Sequence, residues 1–527
     1  MRADPATSPP LREPARVTQR LTVVFFAAVF LLLFAFSPGR IAQMGYMPEI
    51  LEAGRRVLDR GEAILTGVPG VPDAITLPRH GFGELAAALP FLAVARVIFG
   101  PSVEWADRLL SLQPVLSTAL ICTILFAWTR RLTGSPAWGT ALGLLAAFST
   151  TLWPYAYIGL ETTQSLFLLL AAFLALGADG QPTWTRSLLF AACGAVAVSI
   201  KAGSVFLFPA LAWLALCLFR PDIVPVRERR TQLRLKVIVV ASIVAAVWAL
   251  NTWMRIRFWH RIVAVDWVVT SPMDFVLQVW SALLSVNKGF LVFCPMLVPA
   301  LCGLDLAFSR HKRLVTFAVL VLAGQLVGTC LLISWTDETW GPRYLHSSVA
   351  PLVLCLAVAK AGRPFRVRRE LPLLGLGTVG AAIALLGSLF WYGCLFQAAT
   401  PALLSTLENY QYDIDFNHIR FNARLARVWL DEDGSDRQDL WPPHQKLWYP
   451  KTTPPRFRPR RQVSLAPLAI PQPALLQPGA PLSRGVWLAA LALGTAAVAW
   501  LVWLVRRAEP PRLDEVRHDR GGLSPGR

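Results

Sequence analysis

Four ionisable residues lie at the ends of strongly apolar runs, where a charged side chain could do chemistry. Glu161 opens one run, Lys201 occupies the short turn SIKAG between two runs, and Arg343 follows a Gly-Pro pair in WGPRYL (340–345). Charged groups in such places are costly, so each is a functional candidate. Because an ammonium or a guanidinium can hold a phosphate, Lys201 and Arg343 are candidate phosphate ligands, and Glu161 is a candidate catalytic carboxylate. Lys288, at the start of another run, is predicted to anchor that run at the membrane surface.

Each of these candidates also has a purely structural interpretation. Lys201 could be an anchor whose stem lies in the apolar layer. Glu161 would be stabilised by the dipole at the start of a helix. Arg343 could pair with Asp337 or Glu338 and brace its loop, which also makes these two acids candidate pocket residues. Phosphate binding is favoured for Arg343 because its loop is predicted on the same side of the membrane as Lys201.

A second set of candidates lies in the polar segment after the first apolar run. Glu49 and Glu52 are three residues apart, so on a helix they share a face. That arrangement suits Glu49 as a general base acting on a hydroxyl, with Glu52 as a partner acid in the substrate pocket. The alternative is a solvated amphipathic face on which the acids pair with Arg55 and Arg56. His80 is a candidate proton carrier in the substrate pocket, beside glycines that allow a ligand to approach closely. The alternative interpretation is that His80 is an ordinary turn residue.

The composition identifies the chain as a membrane protein. Its 527 residues are 55% hydrophobic and only 16% charged, with a mean hydropathy of +0.49. A chain of this length and apolarity is predicted to cross a membrane several times. The net charge of +19 comes from short basic clusters between apolar runs. Such clusters fix the orientation of a membrane protein, so no nucleic-acid partner is predicted. All eight cysteines fall in apolar runs, which predicts neither a disulfide framework nor a metal cluster.

The apolar runs predict an all-α polytopic protein with about twelve transmembrane helices. If successive connections lie on alternate sides of the membrane, the short basic clusters all fall on one side. That side is therefore predicted to be cytoplasmic, with both termini inside. One further run, 85–100, could also be counted as a span. Counting it would move the basic residues 130 and 131, and every later cluster, to the outside, so a juxtamembrane helix is predicted there. The predicted spans are 20–36, 108–129, 136–156, 161–177, 184–200, 202–219, 237–255, 289–308, 314–335, 346–361, 371–396 and 486–505.

The predicted organisation has five parts. The main transmembrane domain contains a large first outer loop, 37–107, that carries juxtamembrane helices, and 255–288 is predicted as a later outer loop. The last outer loop is predicted to contain a small surface helix followed by a Pro-rich linker. In order, the parts are a cytoplasmic tail at 1–19, the transmembrane domain at 20–396, an outer loop at 397–485, a last transmembrane helix at 486–505 and a cytoplasmic tail at 506–527.

The order of these segments resembles the GT-C superfamily of polytopic glycosyltransferases, which includes the bacterial aminoarabinose transferase of lipid A and the protein O-mannosyltransferases. The resemblance covers roughly residues 20–396. WGPRYL is its most specific motif, and with KGFLVFCP it looks like segments of a less characterised bacterial branch. SIKAG is similar to a "TKG" turn whose lysine, in that family, helps to hold the lipid phosphate. The remaining matching segments are ILEAGRRVLDRG (50–61), HGFG (80–83) and DRLLS (107–111).

The resemblance implies an inverting glycosyltransferase of the bacterial cytoplasmic membrane. Such an enzyme takes a sugar from a polyprenyl-phosphate carrier and passes it to an envelope acceptor on the outer side. Lys201 and Arg343 would hold the lipid phosphate, and membrane lipid would surround the protein. The resemblance implies either no cofactor or, as in some relatives, a divalent cation held by loop acids, although the first loop has no Asp-x-Asp pair.

The chain departs from the family pattern at its expected base. Tyr46 and Met47 stand where the family has an Asp or an Asp-Glu pair, so the base is expected to be Glu49, the alternative being an acid from another loop. Two alternatives stay open: a lipid-linked sugar flippase, or a catalytically inactive GT-C-like scaffold. The sequence identifies neither the sugar nor the acceptor, which could be a glycan, a lipid or a protein.

Overall fold

The structure is a computed structural model in which helices dominate. Regular β structure in the described part of the chain is a two-stranded antiparallel ribbon, in which Gln438 pairs with Val463. The predicted all-α class is therefore confirmed. The description covers residues 15–39, 47–61, 82–157, 159–177, 183–200, 202–219, 227–259, 271–332, 340–390, 417–430, 437–439, 462–464 and 481–508.

The described elements follow one another in chain order. The helices are α1 (Ala15–Ala35), α2 (Met47–Arg60), α3 (Phe82–Phe99), α4 (Val103–Leu110), α5 (Leu112–Thr133), α6 (Pro136–Phe148), α7 (Leu152–Tyr155), α8 (Leu160–Ala172), α9 (Trp184–Ser199), α10 (Phe208–Leu218), α11 (Arg227–Trp259), α12 (Pro272–Leu284), α13 (Phe290–Phe293), α14 (Val298–Cys302), α15 (Leu304–Arg310), α16 (Lys312–Leu332), α17 (Val349–Lys360), α18 (Leu371–Leu389), α19 (His418–Leu430) and α20 (Pro481–Ala508). A π-helical turn (Phe173–Gly177), three 3-10 segments (Ala202–Leu207, Pro295–Leu297 and Arg343–Ser348) and the strands β1 (Arg437–Asp439) and β2 (Gln462–Ser464) complete the described elements.

Several helices are long and apolar enough to cross a membrane. An α-helix needs about 20 apolar residues to span the hydrocarbon layer. Five described segments meet this requirement by length and composition, and they make the chain a multi-pass membrane protein. The total of about twelve spans and the side on which the termini lie stay predictions. The five segments are Val17–Ala35, Val103–Thr133, Lys312–Leu331, Leu371–Leu389 and Gly485–Ala508.

Local sequence signals set the ends of the helices. Ser135 and Ser271 each accept a hydrogen bond from the backbone N–H three residues further on, at 3.3 and 3.1 Å. A proline follows each serine at the first helical position, where its missing N–H costs nothing. Gly134 ends α5 with a φ of 70°, a left-handed conformation that glycine adopts without steric cost. Polar caps and turn residues therefore divide a largely apolar sequence into separate helices.

Prolines divide some predicted spans into shorter pieces. The run 289–308 was predicted as one span, and that prediction is wrong, because the structure has α13, a 3-10 turn, α14 and α15 there. Pro295 and Pro299 each lack the N–H that a continuous helix would use. The predicted outer loop 255–288 contains the apolar helix α12, which starts at Ser271 and Pro272, and its side of the membrane stays a prediction. Hydropathy alone does not register these breaks.

The first and last long helices pack against each other. The rings of Phe34 on α1 and Trp487 on α20 lie 4.1 Å apart between centroids. Gly494 of α20 faces Leu32 so closely that a β-carbon there would lie 3.0 Å from the leucine side chain. Phe25, on another part of α1, stacks on Phe126 of α5 at 4.6 Å. The two ends of the described chain thus join the same bundle.

The first-loop helices form a small apolar cluster of their own. Ile50 and Leu51 of α2 pack with Leu92 of α3 and with Leu110 of α4. The helix predicted over 85–100 is confirmed as α3, and its position along the membrane surface stays a prediction. Gly83 brings the start of α3 onto α9, because a β-carbon there would lie 2.7 Å from a backbone oxygen of α9. The first loop is therefore docked on the bundle rather than separate from it.

Candidate functional site

A buried ion pair joins two of the residues that the sequence singles out. Arg343 Nε donates to Glu161 Oε1, although the two residues are 182 positions apart. Glu161 lies in the first turn of α8, and Arg343 starts a 3-10 segment. Only 2% of the Glu161 side chain and 9% of the Arg343 side chain are exposed. The structure thus brings together the candidate carboxylate and one candidate phosphate ligand.

A glycine with a positive φ lies shortly before each member of this ion pair. Gly159, immediately before α8, has a φ of 98°, and Gly341, two residues before Arg343, has a φ of 56°. Residues with a side chain rarely adopt such angles. A β-carbon on Gly341 would also lie 2.6 Å from the Phe293 ring. The glycine of WGPRYL is therefore needed both for its backbone angle and for its close approach to α13.

The short helix α7 holds the segment around Arg343 from the other side. The Tyr155 hydroxyl donates to the backbone oxygen of Trp340 at 2.7 Å. His346 Nδ1 lies 3.0 Å from the hydroxyl of Thr151, and its ring is 4.8 Å from the Tyr155 ring. Both ends of the WGPRYLH segment are thus fixed by buried side chains, which limits the positions that Arg343 can take.

Hydrogen bonds connect the ion pair to the turn that carries Lys201. Ser165, one helical turn after Glu161, donates to Ser347 Oγ at 3.0 Å. Next to it, Gln164 Nε2 donates to the Ala197 carbonyl at 3.0 Å and to Ser204 Oγ at 2.6 Å. Ala197 and Ser204 flank the SIKAG turn on its two sides. Lys201 itself lies outside the described residues, so its contact with a phosphate stays a prediction.

A second acid, Glu84, is connected to α8 from the first loop. Gln113 of α5 donates to Glu84 Oε1 at 3.1 Å and to Thr163 Oγ1 at 2.8 Å, and Thr163 lies two residues after Glu161. The Glu84 carboxylate is fully buried at the start of α3. Sequence reasoning did not select Glu84, although an acid that follows HGFG and opens an apolar helix was a usable signal. This bridge connects the first loop to the site.

Lys288 is the candidate residue that the sequence interpretation misplaced. A surface anchor keeps its ammonium in water, whereas the Lys288 side chain is 0% exposed. It lines a cleft with Ala282 of α12, Thr329 of α16 and the segment 342–345, which includes Arg343. The cleft is small, with a volume of about 10 Å³, and it is partly open to solvent. The prediction of an anchor is therefore wrong, because Lys288 points into the protein beside Arg343.

The charges at this cleft suit an anionic ligand. A buried ammonium and a buried guanidinium are costly unless anionic or polar groups compensate them. Glu161 supplies one carboxylate beside Arg343. Charge-assisted hydrogen bonds from Arg and Lys are among the strongest contacts that a phosphate group can receive. Lys288 and Arg343 can therefore each donate to an anionic group that reaches the cleft.

The other candidate residues occupy different places. Glu49 is buried in the first turn of α2, a helix of the first-loop cluster. Glu52 pairs with Arg55 at 3.0 Å and with Arg56 at 3.1 Å, which is the amphipathic arrangement of the alternative interpretation. The roles of Glu49 and Glu52 in a substrate site stay predictions. Three further candidates lie outside the described residues, and their roles also stay predictions: His80, Asp337 and Glu338.

Side chains that could ligate a metal are scattered over the described part of the chain. Within the ranges given for the structure, no three His, Cys, Asp or Glu side chains are grouped so that they could hold a metal ion. The acids Asp337 and Glu338 lie outside these ranges. Within those ranges, the candidate site consists of an ion pair, a buried lysine and the hydrogen bonds around them.

The solved structures similar to this chain include ArnT from Cupriavidus metallidurans in two states. No protein-family model and no curated protein matches the chain. ArnT from Cupriavidus metallidurans in the apo state is 15% identical, with 79% of this chain and 69% of that chain covered and a TM-score of 0.47. ArnT from the same organism bound to undecaprenyl phosphate is 16% identical, with 79% and 68% covered and a TM-score of 0.41. This similarity concerns the arrangement of helices, and with TM-scores below 0.5 the chemistry of this chain is inferred from its own residues.

Proposed function

We propose that this protein is a membrane glycosyltransferase that moves a sugar from a polyprenyl-phosphate carrier to an envelope acceptor. The transfer would occur on the outer side of the bacterial cytoplasmic membrane. One observation carries the proposal: Arg343, which is paired with the buried Glu161, lines the same cleft as the buried Lys288. Cations gathered between apolar helices suit a ligand that is both anionic and lipid-linked.

The cations would act on the leaving group. When the bond between the anomeric carbon of the sugar and the carrier phosphate breaks, negative charge develops on the phosphate oxygen. Lys288 and Arg343 would stabilise that charge, as preorganised donors do in other transferases. Glu161 would orient the guanidinium by accepting from its Nε. Lys201 would add a further cation, since its turn is connected to α8 through Gln164.

The acceptor must lose a proton as it attacks. In a single displacement, the acceptor oxygen bonds to the anomeric carbon while the bond to phosphate breaks, so the configuration inverts. A carboxylate takes the hydroxyl proton. Glu49 is proposed for this role because it is the first acid after Tyr46 and Met47, at the start of the first loop. Glu52 and His80 would lie near it on the acceptor side.

The surroundings of the cleft suit a lipid carrier. Ala282 brings α12 to the cleft, while the opposite side of the same helix exposes Met273, Val276 and Trp280. Large apolar side chains exposed on a membrane protein contact lipid at low cost. A polyprenyl chain could therefore leave the cleft along apolar surface while its phosphate stays between the cations.

The test is sugar transfer by the purified full-length protein in liposomes. Labelled undecaprenyl-phosphate hexoses serve as donors and a bacterial envelope fraction as the acceptor. We expect Lys288→Met and Arg343→Gln each to lower transfer by about 10²-fold or more, the size of one lost transition-state donor. Lys312→Met is the matched control, because Lys312 is exposed at the start of α16, and it should transfer like the wild type. Normal transfer by both cleft variants would show that the cleft is not the donor site.

The same liposomes separate the alternatives. Because Tyr46 and Met47 stand where the family has its catalytic acids, one alternative is a scaffold that binds the carrier without turnover. Such a scaffold would retain carrier affinity while no sugar leaves the carrier. A flippase would instead carry the labelled lipid across the bilayer with its sugar intact. Loss of transfer in Glu49→Gln, with carrier affinity retained, would support the transferase and assign the base.

A further inference from the structure

One helix of the last predicted outer loop is bonded to the turn that carries Lys288. Asn417 lies immediately before α19, and its Oδ1 accepts from the backbone N–H of Arg420 at 2.8 Å, which caps the helix. The amide Nδ2 of the same side chain donates to the backbone oxygen of Val286. A single buried side chain therefore both starts α19 and holds the backbone two residues before Lys288.

The rest of α19 is fixed to the bundle independently of that bond. Asn422 Nδ2 donates to the Leu386 carbonyl of α18 at 3.0 Å. Phe421 and Leu425 are buried on the same side of the helix. The His418 ring lies 6.0 Å from the ring of Trp340, three residues before Arg343. The helix thus reaches the segments that precede both cations of the cleft.

The turn that carries Lys288 depends on such support. The helix α12 stops at Ser285, whose ψ of 137° is extended, and α13 starts only at Phe290. Within the turn, Gly289 N–H donates to the Ser285 carbonyl at 2.7 Å, and Asn287 N–H donates to Ser285 Oγ at 3.2 Å. Both bonds are internal to the turn, so they fix its shape and not its position relative to α18. The bond from Asn417 supplies an external attachment.

We infer that Asn417 is a positioning residue for the Lys288 ammonium, and that α19 completes the phosphate cleft. This inference rests on the proposed function, because it assumes that Lys288 contacts the carrier phosphate. The amide of Asn417 holds the Val286 carbonyl, which sets where the Lys288 side chain enters the cleft. The last outer loop therefore contributes to carrier binding through this helix, without contacting the carrier itself.

The experiment measures binding of undecaprenyl phosphate to the full-length protein in nanodiscs, with undecaprenol as the uncharged comparison. Asn417→Ser keeps a capping oxygen, since serine caps helices about as well as asparagine, and it removes the amide donor. We expect its Kd for undecaprenyl phosphate to rise about three- to tenfold, the effect of one lost hydrogen bond, with undecaprenol binding unchanged. Asn422→Ser is the matched control, because it removes the same kind of amide donor further from Lys288, and its Kd should not change.

A double-mutant cycle separates positioning from general loosening. In a Lys288→Met background, Asn417→Ser should have no further effect, because the group that it positions is absent. An unchanged Kd in Asn417→Ser alone, or an equal loss in both backgrounds, would overturn the inference and leave the proposed function intact. Wild-type affinity in both Lys288→Met and Arg343→Gln would refute the proposed function instead. Should Asn417→Ser fail to fold, Asn417→Thr, which also keeps a capping oxygen and adds no charge, gives the same comparison.

Discussion

The carboxylate of Glu161 and the guanidinium of Arg343 are each costly to bury alone. A buried ion pair contributes little net stability compared with an apolar pair, because desolvation offsets the attraction. Removing only one partner, however, leaves a buried charge without its carboxylate or its cation. The consequence for folding should therefore be much larger for this pair than for an ion pair at the surface.

Unfolding of the Glu161→Gln variant tests this difference. We expect a loss of about 3–5 kcal/mol in the free energy of unfolding, measured by denaturant titration in detergent. Glu104→Gln is the control, because Glu104 pairs with Arg108 at 2.7 Å in an exposed position, and such pairs contribute about 0–1 kcal/mol. Glu161→Gln combined with Arg343→Gln should recover part of the loss. Equal losses in the two single variants would mean that the Glu161–Arg343 pair behaves like a surface pair.

Sequence reasoning found the members of this pair separately, but not their contact. Glu161 and Arg343 were selected because charged residues beside apolar runs are expensive, and that argument needs no structure. Their contact depends on tertiary packing across 182 residues. The same limit explains Lys288: a lysine beside an apolar run can reach outward or inward with the same sequence, and only packing decides. Glu84 was missed because its partner Gln113 lies on another helix.

Among the secondary-structure elements, α3 connects the first loop to the site. Gly83 lets the start of this helix lie against α9, and Glu84 reaches Gln113, which also binds Thr163 of α8. A side chain at position 83 would push α3 away from α9 and stretch that bridge. Close packing at Gly83 and the polar contact of Glu84 therefore hold the start of α3 in place.

The Gly83→Ala variant should lose stability and activity together. Its new β-carbon would meet the backbone oxygen of Val196 at 2.7 Å. Overpacking of this kind costs about 1–3 kcal/mol. Limited proteolysis of the first loop and transfer activity report the two effects. Gly375→Ala, on α18 where nothing lies within 4 Å, is the control and should be neutral or slightly stabilising. Wild-type proteolysis in Gly83→Ala would show that α3 tolerates displacement.

Element boundaries were predictable where apolar runs are uninterrupted. The predicted spans 314–335 and 486–505 correspond to α16 (Lys312–Leu332) and α20 (Pro481–Ala508). The run 289–308 was not predictable as a single helix, since hydropathy is the same whether or not Pro295 interrupts the hydrogen-bond ladder. The broken region directly follows Lys288 and faces Gly341 through Phe293, so the failure coincides with the candidate site.

For the whole molecule, the chemistry depends on which side of the membrane the cleft faces. The short basic clusters predict that the connection between α17 and α18, with Arg363, Arg366, Arg368 and Arg369, is cytoplasmic. The same pattern places the first loop outside. A carrier-dependent transfer to an envelope acceptor requires that outer placement, because the acceptor does not enter the cytoplasm.

Cysteine labelling in intact cells tests this orientation. Arg60 and Arg366 are both exposed, so a cysteine at either position is accessible from its own side of the membrane. We expect Arg60→Cys to react with a membrane-impermeant maleimide in intact cells, and Arg366→Cys to react only after permeabilisation. The chain with its native cysteines alone is the background control, chiefly for Cys302, which is exposed. Labelling of Arg60→Cys only after permeabilisation would place the first loop in the cytosol. In that orientation Glu49 could not act on an acceptor outside the membrane, and the proposed transferase would have no substrate on its side.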